Sequence, residues 1–150
     1  MTIMTTVETF AAAYYIASRA HEGQTDLAGK DYFLHPQRVA DKFSDYTLKT
    51  VAILHDTLED TWITEELLRK LFPESICDAV VALTRKSDES YGEFIKRLSR
   101  NSYARVVKIA DLEDNLDLSR LKEIKDEDLD RVKKYAKWRT WLIDQADLPF

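Results

Sequence analysis

Three glycines and three prolines are all that interrupt these 150 residues. A chain with so few breakers is poorly supplied for the many tight turns of a β-sandwich or barrel, and it favours helices joined by a handful of loops. The apolar spacing agrees. Phe10, Ala13, Tyr14 and Ala17 recur at helical intervals over residues 5–21, with Thr6 placed to cap the helix. Residues 22–34 hold Gly23 and Gly29 and read as a loop, after which Pro36 suits the first turn of a second helix with His35 at its cap. Residues 46–60 predict the most apolar helix, which should be central and buried. Thr64 is placed to cap a helix that Pro73 ends, and further helices are expected over 74–84, 89–99, 101–116 and 126–146. In the last of these, Leu129, Val132, Tyr135, Ala136, Trp138 and Leu142 should face inward. Nothing alternates as a strand. The expectation is an all-α, single-domain bundle of about seven or eight helices over residues 1–150.

Composition narrows the function. Hydrophobic residues make up 45% of the chain, enough for one core, and the 33% charged residues are spread along it as in a folded domain. The net charge of −5 gives no overall pull toward nucleic acid or an anionic membrane. Arg131, Lys133, Lys134, Lys137 and Arg139 form a basic run, but acids precede it at Asp126, Glu127, Asp128 and Asp130. That order follows the helix dipole, and the run reads as a solvated face. No leader-like N-terminus or long apolar run is present, so a cytoplasmic protein is expected. The lone Cys77 sits in an apolar run, where packing is its expected role. Trp138, Trp141 and Tyr135 could pack on the core or make an oligomer contact, and the oligomeric state stays open.

The informative anomaly lies in the most apolar helix. Ile53-Leu54-His55-Asp56-Thr57-Leu58-Glu59-Asp60-Thr61 carries four ionisable residues in an otherwise apolar segment. Buried charge needs compensation, and a divalent cation satisfies an imidazole and a carboxylate together. A His-Asp dipeptide alone is weak evidence. Two further segments add to it: Tyr32-Phe33-Leu34-His35-Pro36, and Val106-Val107-Lys108-Ile109-Ala110-Asp111, where an apolar helix turns polar and Asn115 follows one turn later. His, His-Asp and Asp on three separate helices supply mixed nitrogen and oxygen ligands suited to manganese, iron or zinc.

Taken in order, these segments resemble the HD superfamily of metal-dependent phosphohydrolases, and within it the hydrolase domain of the RelA/SpoT-type alarmone enzymes and their small stand-alone relatives. The resemblance covers roughly residues 8–120. It also draws on Ala20-His21-Glu22-Gly23-Gln24, Val39-Ala40, Leu83-Thr84-Arg85-Lys86 and Asn115-Leu116. It implies that His35, His55, Asp56 and Asp111 bind a divalent metal, usually manganese (Mn2+). It implies that Glu59 and Asp60 position or activate the attacking water, and that Asn115 contacts the substrate's sugar or phosphate. Lys108, Arg85 and Lys86 are candidates to neutralise phosphate, and His21 is expected to bond to the loop that follows it.

Five positions depart from that pattern. Asp26 and Leu27 stand where the alarmone hydrolases carry a basic pair that holds the guanine base, and aspartate cannot stack on a purine as arginine does. Asp31 replaces the usual proline, Leu112 a basic residue, and Asp114 a histidine. The metal and water residues are intact. The first expected activity is hydrolysis of a nucleotide, with guanosine 3′,5′-bis(diphosphate) 3′-pyrophosphohydrolase the leading candidate. The alternatives are a phosphatase of another phosphorylated nucleotide or dinucleotide, and a non-catalytic regulatory module on the same fold.

Overall fold

The computed structural model describes residues 3–146. Among them the chain forms α1 (Thr6–Ala20), α2 (Leu34–Asp41), α3 (Tyr46–Leu54), α4 (Thr57–Asp60), α5 (Glu65–Leu71), α6 (Glu74–Ala82), α7 (Tyr91–Leu98), α8 (Ser102–Leu116) and α9 (Asp126–Ala146). The only extended pairing among the described residues is an isolated bridge between Thr25 and Asp31. The chain is therefore all-helical: eight helices and the single turn α4. No described helix is long and apolar enough to cross a membrane.

Local chemistry sets the starts. Thr5, one residue before the expected Thr6, caps α1 through a reciprocal box with Glu8, and Ser90 does the same for α7 with Glu93. Thr64 caps α5 as expected. Phe33, not His35, precedes α2, so His35 lies inside the first turn, where its ring points across the bundle and not at its own helix end.

The helix α3 is the centre of the fold. It packs against α1, α2, α6 and α8, and Val51, Ala52, Ile53 and Leu54 are fully buried. Each large aliphatic side chain withdrawn from water there contributes about 1.5–3 kcal/mol. Cys77 is buried in the same core, and Tyr135, Trp138 and Trp141 pack against it. Two residues expected inside α9, Leu129 and Ala136, are exposed, because α9 packs chiefly on α8 along one narrow side and buries Leu142, Val132 and Trp138 more deeply. Gly92 of α7 lets the Trp138 ring of α9 pack closely, since a Cβ there would lie 3.1 Å from it.

The expected continuous helix over 46–60 is broken at His55 and Asp56. The cause is side-chain competition for carbonyl oxygens. His55 Nδ1 donates to Ala52 O at 2.6 Å, and the Thr57 hydroxyl donates to Leu54 O at 2.7 Å. These are the acceptors that a continuing helix would need at 56 and 58. The chain then restarts as α4, which turns Glu59 and Asp60 out of the core to the surface.

Candidate metal centre

Three helices converge at the break. His35 comes from the first turn of α2, His55 from the end of α3, and Asp111 from the middle of α8. One ligand atom from each lies within 4.8 Å of the others, and all three residues are buried. Asp56 joins them, with its Oδ2 3.1 Å from His55 Nε2 and 3.8 Å from His35 Nε2. The Tyr32 hydroxyl donates to that carboxylate and so orients it.

The donor set fits a cation. Because His55 Nδ1 is spent on Ala52 O, its Nε2 is the atom turned into the cluster, where Asp56 Oδ2 and Asp111 Oδ1 lie 3.1 and 3.4 Å away without a well-directed hydrogen bond among the described residues. A nitrogen and two carboxylates that converge in this way suit a shared cation. Without a cation, the two imidazoles and two carboxylates offset one another. Burial opposes charge on His55, but Asp56 and Asp111 outweigh it and hold its pKa well above the ordinary value. Burial likewise opposes ionisation of Asp56, yet His55 holds its carboxyl down at about 2. The site is thus ready with ionised carboxylates.

A second layer supports His35. Its Nδ1 donates to Asp114 Oδ2 at 2.7 Å, leaving Nε2 facing Asp111 Oδ1 at 2.8 Å. Asp114 is buried and is held in turn by the Arg38 guanidinium at 2.9 and 3.0 Å. A carboxylate on the far nitrogen of a ligating histidine fixes its tautomer and raises its basicity. Neither Asp114 nor Arg38 was singled out as a site residue from the sequence. The available signal was spacing: Arg38 is three residues after His35, and Asp114 three after Asp111, one helical turn in each case.

The remaining site residues separate clearly. Lys108 Nζ donates to Asp111 Oδ2 at 2.8 Å, and Asn115 Nδ2 donates to its Oδ1 at 3.1 Å. Glu59 accepts the backbone N–H of Arg85, which brings the 83–90 loop onto the centre. Arg97 braces that loop through the Glu89 carboxylate and the Ala82 and Thr84 carbonyls. Lys86 is exposed and joins no site side chain by hydrogen bond or ion pair among the described residues. Gln24 donates to the Asp60 carbonyl at 2.7 Å, and buried His21 donates to Gln24 at 2.7 Å, the loop-bonding role expected of it.

Beside the centre opens a cavity of about 430 Å³ whose lining includes His35, Asn115, Tyr135, Arg120, Asp26 and Leu27. The Asp26 carboxylate accepts the Ala28 and Lys30 N–H groups at 2.9 Å, so this residue builds its own loop as well as facing the cavity. Leu112 is fully buried in the core and faces no substrate. That departure from the alarmone pattern is one of packing.

No family model matches the chain. Curated relatives do. A GTP pyrophosphokinase of Myxococcus xanthus is 30% identical over 122 residues, 69% of this chain and 16% of that protein. A guanosine-3′,5′-bis(diphosphate) 3′-pyrophosphohydrolase of Aquifex aeolicus is 31% identical over 121 residues, 73% of this chain and 17% of that protein. The bifunctional (p)ppGpp synthase/hydrolase SpoT of Escherichia coli is 38% identical over 77 residues, 49% of this chain and 11% of that protein. The chain therefore spans less than a fifth of the length of these relatives. A solved structure of a metazoan ortholog of SpoT, described as hydrolyzing ppGpp and playing a role in starvation responses, superimposes with a TM-score of 0.74 at 25% identity. That alignment covers 98% of this chain and 89% of the other. The chain resembles an HD-type ppGpp hydrolase. The likeness spans nearly the whole helical unit, including the helices that carry His35, His55 and Asp111.

Proposed function

We propose that this chain is a metal-dependent phosphohydrolase that removes pyrophosphate from the 3′ position of guanosine 3′,5′-bis(diphosphate). The observation that carries the reading is the buried His35–His55–Asp111 group, whose ligand atoms converge within 4.8 Å, set beside an exposed carboxylate pair. His35, His55, Asp56 and Asp111 would hold the metal, with manganese the first candidate among oxygen- and nitrogen-preferring ions. A divalent cation there lowers the pKa of water and offsets charge developing on phosphate oxygens.

The other steps belong to the chain's own groups. Glu59 and Asp60 stand where a carboxylate can take a proton from the attacking water. Burial raises the Glu59 carboxyl, and the Arg85 N–H opposes that rise, which leaves it a stronger base than a free glutamate. Asn115 directs an amide toward the cavity side of Asp111, where a ribose hydroxyl or phosphate oxygen can meet it. Lys108 and Arg85 supply positive charge beside the reacting phosphate. In the hydrolysis, the water oxygen joins phosphorus, the ribose oxygen leaves with a proton, and the diphosphate departs. The chain would act as one HD-type unit in the cytoplasm, where nucleotides are found.

A second reading, a phosphatase of another nucleotide or dinucleotide, is favoured by Asp26 and Leu27, which present no cation to a base in the cavity. The Glu59–Asp60 pair speaks against a non-catalytic module, because a binder needs no group to activate water. The test is incubation of manganese-loaded protein with guanosine tetraphosphate, ordinary nucleotides and NADPH, measuring released phosphate and pyrophosphate. Pyrophosphate from the tetraphosphate, abolished by chelation, supports the first reading. Phosphate from another substrate replaces it with the second, and silence across the panel with metal bound refutes both for these substrates.

A further inference from the structure

The basic run of α9 is not wholly a solvated face. One member, Lys134, turns back over the ring of Tyr91, the first residue of α7, with its ammonium 4.0 Å from the ring centre. Two more cations meet the same ring: Lys108 from α8 at 5.9 Å and Arg85 from the preceding loop at 5.9 Å. One aromatic ring attracts a cation weakly, whereas three like charges gathered round it repel one another. Such a cluster implies an anion.

The protein's own acids do not supply one. Asp111 meets Lys108 but belongs to the metal group, and the Glu89 carboxylate is occupied by Arg97. Glu59 takes the backbone N–H of Arg85, whose guanidinium, among the described residues, hydrogen-bonds the Glu89 carbonyl through Nε, at 3.1 Å. Lys134 joins no carboxylate among the described residues. The hydroxyl of this same Tyr91 ring is buried and has no hydrogen-bond partner among the described residues. Burial pushes this phenol up to about 12, so it remains a neutral donor. Burial and then the charges of Arg85 and Lys108 lower the Lys134 ammonium.

We propose that Lys134, Arg85, Lys108 and the Tyr91 hydroxyl form an anion subsite for the outer phosphate of a diphosphate whose inner phosphate lies at the metal group. The inference rests on the phosphohydrolase reading and sharpens it: the departing group is a diphosphate and not a monophosphate. Lys108 joins the two halves, since its ammonium lies 2.8 Å from Asp111 Oδ2 and 5.9 Å from the centre of the Tyr91 ring. A lone phosphate at the metal group reaches Lys108 but leaves Lys134 and the Tyr91 hydroxyl unused. Lys134 is thus a residue that selects for the second phosphate.

The test is calorimetric binding of inorganic pyrophosphate and of orthophosphate to the manganese-loaded protein. Lys134 is exposed, so Lys134→Met should leave the fold intact. The variant should weaken pyrophosphate by about tenfold or more, the loss of one charge-assisted hydrogen bond, and Lys134→Glu should weaken it further. Orthophosphate should change less than about twofold, because it does not reach the subsite. Lys134→Arg should restore pyrophosphate affinity, and Lys133→Met, one residue away but off the ring, should change neither ligand. Tyr91→Phe should weaken pyrophosphate while keeping the ring that packs on Trp138. Unchanged pyrophosphate affinity in Lys134→Met, or an equal loss for both anions, overturns the subsite. Pyrophosphate binding that depends on Lys134 in a protein that hydrolyses no nucleotide would keep the subsite and refute the hydrolase reading.

Discussion

Replacing Asp114 with asparagine tests how much the metal centre owes to its supporting layer. In the native chain the Asp114 carboxylate takes the His35 Nδ1 proton at 2.7 Å and the Arg38 guanidinium at 2.9 and 3.0 Å. Asparagine keeps the shape but has one acceptor oxygen. Whichever way the amide turns, its NH2 faces either His35 or Arg38, donor against donor. If His35 loses its acceptor, its ring is no longer held with Nε2 toward Asp111. Loss of such a partner weakens a metal site about 10–100-fold, which is about 1.4–2.7 kcal/mol of binding free energy. The metal-free protein should also lose about 1–3 kcal/mol of stability, because a buried donor is left unmet. Chelator competition measures the first quantity and urea unfolding without metal the second. A stability loss with metal affinity within twofold of the native chain would refute the reasoning, since Asp114 would then only brace the helices.

Three further outcomes follow from the same geometry. His55→Ala or Asp56→Ala should purify without metal, because each removes a ligand, and full metal content in either would refute the assignment. Glu59→Gln should retain the metal and lose roughly 10²–10⁴ in rate, the usual range for a missing general base; a native rate would move that role to Asp60. The hydrogen bonds of Arg97 hold the Glu89 carboxyl at about 2, below its ordinary 4.5. A folded value below the unfolded one stabilises the protein fully above about 4.5 and loses that contribution as pH falls toward 2. Arg97→Met should therefore lower stability at neutral pH and flatten its decline between those values in urea melts, and an unchanged slope would count against the pair.

Much of this protein was readable from residue order, and the parts that were not share a cause. Helix periods, the Thr64 cap and the burial of 51–54 depend on neighbours within a turn or two, so they follow from local pattern. The convergence of His35, His55, Asp56 and Asp111 was readable too, because charged residues in apolar surroundings are costly and these four stood out against them. The break after Leu54 was hidden, since it depends on which carbonyls the His55 and Thr57 side chains capture.

The long-range arrangement was beyond reach of local pattern altogether. Asp114, which replaces a histidine of the family pattern, proves to stand behind His35, while Leu112, close by in sequence, belongs to the core. Lys134 looked like one of several solvated lysines, and it is the turn of α9 against α8 and α7 that lays it on Tyr91. Local spacing sets which residues share a helix face. The rotation of each helix about its own axis is set by how its apolar side packs, and only that rotation brings residues far apart in the chain to one place.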